Sequence, residues 1–189
     1  MPRPPDPGLE ERILRAAQKL WSKRGEDSLT MRAVARAAGT NTPAVYRRFK
    51  SRMELVRALA QRGQSDLSEV IRPCTCLQEI AEKALEFSLR NPEEYHLLVS
   101  RTATAATPGR PNVRLVSERA AKWLGGTPED HTGLVYALWS MTSGASILLT
   151  TQAVPADKVP EFRAAFSAAV NTLVKNAQII EGDRVPVGS

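Results

Sequence analysis

The sequence predicts an all-α protein of roughly nine helices, a small three-helix unit followed by a larger helical bundle, and three observations predict it. Apolar residues recur at intervals of three, four and seven along most of the 189 residues, the period at which one helix face meets a core. Strand signals are nearly absent: no Asn-Gly or Asp-Gly pair separates alternating runs, and aromatic residues make up only 5%. Glycine, proline and capping residues divide the periodic runs into helical lengths.

Met1 to Gly8 is a stiff, proline-rich, solvated arm. Leu9, Ile13, Ala17, Leu20 and Trp21 then make one stripe that Gly25 stops. Thr30 caps a short helix holding Met31, Val34, Ala35 and Ala38, closed by Gly39. Asn41 or Thr42 caps the next, with Pro43 in its first turn, where a missing N–H costs nothing, and it runs to about Phe49. Ser51-Arg52-Met53-Glu54 is a capping box in which Ser51 and Glu54 satisfy each other's backbone donors. It opens a longer helix through Leu55 and Leu59 to about Ile71, and Pro73 marks its end.

Leu77, Ile80, Ala81, Ala84, Leu85 and Leu89 form a helix closed before Asn91, and Pro92 opens another carrying Tyr95, Leu98 and Val99. Ala106 to Pro111 reads as a loop, Val113 to Leu124 as a helix stopped by Gly125 and Gly126, and Pro128 to Thr151 as a long helix. The last helix holds Val159, Phe162, Phe166, Ala169, Val170, Leu173 and Val174. The expected organisation is therefore an arm over residues 1–8, a first domain over 9–63, a second domain over 64–180 and a frayed tail over 181–189.

Charge is segregated along this plan. Residues 1–63 carry 14 basic and 6 acidic side chains, net +8, and the remaining residues are net −2. A cationic first third on a faintly acidic body suits phosphate binding, since each neutralised phosphate releases condensed counterions. No secretory signal is read at the N-terminus, and a cytoplasmic location is expected. Thr132 to Ala156 has no charged residue and enough length to span a bilayer, but its Ser, Thr and Gln residues favour a helix buried in a core or interface over a membrane segment. Cys74 and Cys76 are the only cysteines and His96 and His131 the only histidines, too few for a metal cluster. No metal, cofactor or enzymatic site is expected, because no convergent acid–base or nucleophile set and no glycine-rich phosphate loop is present.

Thr30 to Phe49 has the plan of a helix-turn-helix. Ala35 and Ala38 let two helices cross closely, Gly39 takes the positive φ of the turn, and Val45 plugs the core beneath. Thr40, Asn41, Thr42, Ala44, Tyr46, Arg47 and Arg48 are left nearer the outside, and their hydroxyl, amide, phenol and guanidinium groups can read base edges and phosphates. The run from Thr30 to Leu55, above all Gly39, a polar cap, Ala44-Val45-Tyr46, then Phe49-Lys50-Ser51 and Glu54-Leu55, resembles the DNA-binding signature of TetR-family transcriptional regulators. Arg48 stands where that family commonly has His and Arg52 where it commonly has Lys.

The resemblance implies a homodimeric regulator of double-stranded operator DNA, acting as a repressor released by an unidentified small-molecule effector. Its alternative is an architectural DNA-binding protein without effector control. Expected DNA contacts are Arg32, Thr40, Asn41, Thr42, Pro43, Tyr46, Arg47, Arg48, Lys50 and Arg52. Asn91-Pro92-Glu93-Glu94-Tyr95 and Trp139-x-x-x-Ser143-Gly144 resemble segments of one TetR subgroup, with Ser143 in place of a His. The ligand-binding and dimerisation domain so implied would line its effector site with Phe87, Tyr95, His96, Tyr136, Trp139 and Ser143. Its dimer interface would use Val159, Phe162, Phe166, Val170 and Leu173.

Overall fold

The structure, a computed structural model, describes residues 8–99 and 111–177. The arm before Gly8, the loop before Pro111 and the tail over 181–189 lie outside the described residues. Among the described residues there are nine α-helices and no strand. The chain divides into two compact units, residues 1–63 with 93–108 and residues 64–92 with 109–189.

In the first unit, α1 (Leu9–Arg24) opens with Glu10 and Glu11, favourable at the positive end of the helix dipole. Gly25 ends it at φ +70° with its N–H on the Trp21 carbonyl, 2.8 Å away. Helices α2 (Met31–Ala37) and α3 (Thr42–Arg48) follow, and α4 (Arg52–Ile71) begins in this unit and continues into the next. Ile13, Ala17, Trp21, Leu29, Val34, Val45, Phe49, Leu55, Val56 and Leu59 form one core.

Helix α6 (Pro92–Val99) belongs to this unit from Glu93 onward. Leu97 is buried in the same core, and Glu94 Oε2 accepts from Gln18 Nε2 at 3.2 Å. Gln18, Trp21, Leu59, Arg62, Glu94 and Leu97 surround a cavity of about 10 Å³, room for one water and far short of an effector.

The second unit holds α5 (Leu77–Arg90), α7 (Pro111–Leu124), α8 (Thr132–Thr150) and α9 (Val159–Lys175). The long helix starts at Thr132, four residues later than the sequence suggests, because Pro128–His131 forms a separate 3-10 turn. There Asp130 Oδ2 takes the Thr127 N–H at 2.9 Å, and the buried His131 ring contacts the Gly125 carbonyl at 2.6 Å. Arg119 of α7 donates to the carbonyls of Arg72 (2.7 Å) and Cys74 (3.1 Å). It thereby caps the C-terminal end of α4 with positive charge while lying 5.7 Å from the Trp123 ring centroid.

The residues expected at the dimer interface differ in their burial within the single chain. Phe166 and Val170 are 6% and 1% exposed within the single chain, where α9 packs on α5 and α8. Val159, Phe162 and Leu173 are half-buried. Phe166 and Val170 on the apolar stripe of α9 thus contribute to the core of the single chain. Exposed along α8 are Tyr136, Ser140, Gly144, Ile147 and Leu148, and along α9 Ala164, Ala165, Ala168, Ala169 and Thr172. Pro128–Thr150 has the length and mean hydropathy (1.3) of a bilayer-crossing helix, yet only 33% of that window is buried.

Candidate nucleic-acid interface

Local chemistry fixes the turn between α2 and α3. Thr30 caps α2 by accepting the Ala33 N–H at 3.1 Å. At the other end Gly39, at φ +65°, donates to the Arg36 carbonyl, and Thr40 donates to Ala35 at 3.0 Å. That paired pattern is a Schellman motif, in which a residue tolerant of the left-handed region closes the helix. Asn41 Oδ1 then accepts the Ala44 N–H at 2.8 Å, and Pro43 sits in the first turn of α3.

Ala35, Ala38, Ala44 and Val45 are buried where the two helices meet. Ala44 was expected nearer the outside; its methyl instead lets α3 lie close on the core, as the burial of its neighbour Val45 requires. The outward surface is then Asn41, Pro43, Tyr46 and Arg47 on α3 and its cap, with Arg32 on α2 and Lys50 beyond α3. Tyr46 is 49% exposed, too open for a packing residue. Thr40, Thr42, Arg48 and Arg52 are half-buried. Arg36 is also exposed, one helical turn from Arg32 on the same face of α2. It is not among the residues expected from the sequence, although its i, i+4 spacing from Arg32 is a sufficient signal.

Two of the expected cations are engaged within the unit. Arg52 Nε donates to the Leu29 carbonyl at 3.0 Å, tying the start of α4 to the segment before α2. Arg48 Nη1 lies 3.9 Å from Glu10 of α1. At the head of α4, Ser51 Oγ accepts the Glu54 N–H at 3.1 Å, but Glu54 returns the bond to the Lys50 N–H at 2.7 Å, not to Ser51 itself. The box is shifted by one residue and still satisfies two backbone donors.

The expected effector residues do not form one cluster within either unit. Tyr95 and His96 fall in the first unit, Tyr95 buried there. Phe87, Tyr136, Trp139 and Ser143 fall in the second. The Tyr136 and Trp139 rings are 6.1 Å apart and tilted, but Tyr136 stands on the open face of α8 while Phe87 is buried. Cys74 is a buried free thiol, pushed above its ordinary pKa chiefly by loss of hydration, and so held in its unreactive form. No metal-binding group occurs among the described residues.

Residues 13–59 match the family model of the bacterial regulatory proteins of the tetR family. No curated protein matches the chain. Among solved structures, a TetR variant from Acinetobacter baumannii AYE in complex with minocycline is similar at a TM-score of 0.66 and 24% identity, over 94% of this chain and 98% of that one. A TetR-family transcriptional regulator from Streptomyces coelicolor is similar at a TM-score of 0.68 and 19% identity, over 89% and 99%. A TetR-like transcriptional regulator from Rhodococcus sp. RHA1 gives 0.63 and 19%, over 94% and 99%. At these identities the likeness is one of fold.

Proposed function

We propose, from the match of residues 13–59 to the tetR-family model and the fold shared with solved TetR-family regulators, that the chain is a cytoplasmic transcriptional regulator that reads operator DNA as a homodimer. One observation carries the reading. A capped helix-turn-helix, closed beneath by Ala35, Ala38, Ala44 and Val45, turns Asn41, Tyr46 and Arg47 to solvent in the part of the chain that is net positive. Asn and Arg pair with purine edges, and Arg32 and Lys50 supply phosphate contacts that position the helix.

A recognition helix of seven residues spans only a few base pairs, so affinity and specificity call for two copies on successive major grooves. The open faces of α8 and α9 support that pairing. Small residues along α9 allow close helix approach, while Tyr136, Ile147 and Leu148 supply apolar area. A small-molecule effector that releases the operator is supported by the minocycline complex of a protein with the same fold. Phe87, Trp139 and Ser143 are the side chains of the second unit proposed to meet it.

Selection of bound duplexes from a random pool, followed by footprinting, tests the proposal. The expected product is a two-fold symmetric site. Binding with no sequence preference would favour an architectural role, and absence of duplex binding would remove the reading.

A further inference from the structure

Arg32 and Arg36 on α2, Arg47 on α3 and Lys50 just beyond it are exposed, and their side chains make no hydrogen bond or ion pair among the described residues. Arg48 and Arg52, by contrast, face Glu10 and the Leu29 carbonyl. Arg32, Arg47 and Lys50 are expected DNA contacts; Arg36 is not. It stands in the last turn of α2, where the negative end of the helix dipole favours a cation. Arg32, one turn earlier on the same face, opposes it as a like charge at i, i+4 by a similar amount. Helix stability therefore gives little net reason for a second guanidinium there. The Arg36 carbonyl accepts the Gly39 N–H at 3.3 Å, so the residue belongs to the turn that delivers the chain to Asn41, the cap of α3. In a helix-turn-helix the first helix crosses the phosphate backbone while the N-terminal end of the second reads base edges. Arg36 is on the crossing helix, beside the reading end.

We propose that Arg36 is a further DNA-binding residue, a phosphate contact that acts with Arg32 so that α2 grips the backbone of the duplex at two points. The inference rests on the DNA-binding reading above. Four residues of helix advance about 6 Å, so the two guanidiniums, each a planar fork suited to phosphate oxygens, reach separate phosphates instead of competing for one. A phosphate contact carries no sequence information and strengthens binding to every duplex alike. Two such contacts on one short helix also fix how α2 lies across the strand, and with it the register at which Tyr46 and Arg47 meet the bases.

The test is the salt dependence of binding by the full chain to a duplex of random sequence, each lost phosphate contact flattening the log–log slope by about 0.9. Arg36→Gln should flatten the slope by about that amount for each copy of the chain on the duplex, with the sequences selected from a random pool unchanged. Arg36→Lys, which keeps the charge, should keep the wild-type slope. Arg32→Gln together with Arg36→Gln should flatten it further than Arg36→Gln alone. Slopes are measured well below the melting transition of each variant, so that a structural cost of the substitution does not enter them. The proposal is overturned if Arg36→Gln leaves the slope alone, if Arg36→Lys flattens it as much as Arg36→Gln does, if adding Arg32→Gln to Arg36→Gln has no further effect, or if Arg36→Gln alters the selected sequence, which would make Arg36 a base contact. Failure of the DNA-binding reading is separate and visible earlier: the wild-type chain would show no salt-dependent duplex binding at all.

Discussion

Arg62 donates to both carboxylate oxygens of Glu11 across 51 positions of sequence, at 3.0 Å each, and so joins α1 to α4. The bond from Arg62, and after it that from Arg15, holds the Glu11 carboxyl below its ordinary value of 4.5. Folding thus favours the ionised form, and the stabilisation is present in full above the ordinary carboxylate range. It is lost as pH falls through the lowered folded value. Thermal melts of wild type and Glu11→Gln should differ modestly at neutral pH, the variant melting lower, and should converge in acid. A gap that persists unchanged in acid would mean that ionisation of Glu11 is not its source.

The turn between α2 and α3 should be sensitive to two substitutions for different reasons. Asn41→Ala removes a cap and is expected to cost about 1 kcal/mol, with Asn41→Ser restoring most of it. Gly39→Ala meets no atom within 4 Å of the added methyl, so any loss is backbone strain at positive φ, about 1–2 kcal/mol. Gly39→Asn should lose less than Gly39→Ala. Denaturant titrations measure all four, and equal losses for the two Gly39 variants would remove the strain argument.

Tyr46 and Arg52 should separate in their effects. Tyr46→Ala is expected to change the sequences selected from a random pool while leaving the melting temperature nearly unchanged, since the ring packs on little. Arg52→Ala gives up the bond to the Leu29 carbonyl and should destabilise the unit by about 1 kcal/mol. The selected sequence should stay the same. An Arg52→Ala protein of normal stability whose salt slope falls would identify Arg52 as a phosphate contact instead.

Phe166 and Ile147 test which face of the body is free. Phe166→Ala opens the protomer's own core and should cost about 3–5 kcal/mol. Ile147, 48% exposed on α8, should tolerate Glu in a single chain; in a two-fold interface the charge would be desolvated and would meet its own copy. Sedimentation of Ile147→Glu should show folded monomers with helical circular dichroism intact and operator affinity strongly reduced. A normal dimer would place the contact away from this part of α8.

The all-α fold was legible in the sequence because its determinants are local. Thr30, Gly39, Asn41 and Ser51 mark helix ends through bonds to residues three to five positions away, and periodicity marks the faces. What was not legible depended on distant partners. The α9 stripe announces that Phe166 and Val170 are buried, but a stripe cannot say whether the burial is against the same chain or another. Tyr95 and His96 share a segment with α5 in sequence, yet Leu97 commits that segment to the first unit. The list of DNA-facing cations was read from charge and spacing; that Arg48 faces Glu10 and Arg52 bonds Leu29 is set by chain crossings that no local pattern encodes. Arg36 is the exception, legible at i+4 from Arg32 and overlooked.

The placement of aromatic rings gives the molecule its own optical labels. Of its three tryptophans, Trp21 is sealed in the core of the first unit, whereas Trp123 lies beneath the Arg119 guanidinium and Trp139 beside Tyr136 in the second. Intrinsic fluorescence therefore reports the two units through different chromophores. A variant keeping only Trp21 follows the melting of one, and a variant keeping only Trp123 follows the other. Superimposable transitions would mean that the units unfold as one cooperative block. Separated transitions would resolve which of them loosens first.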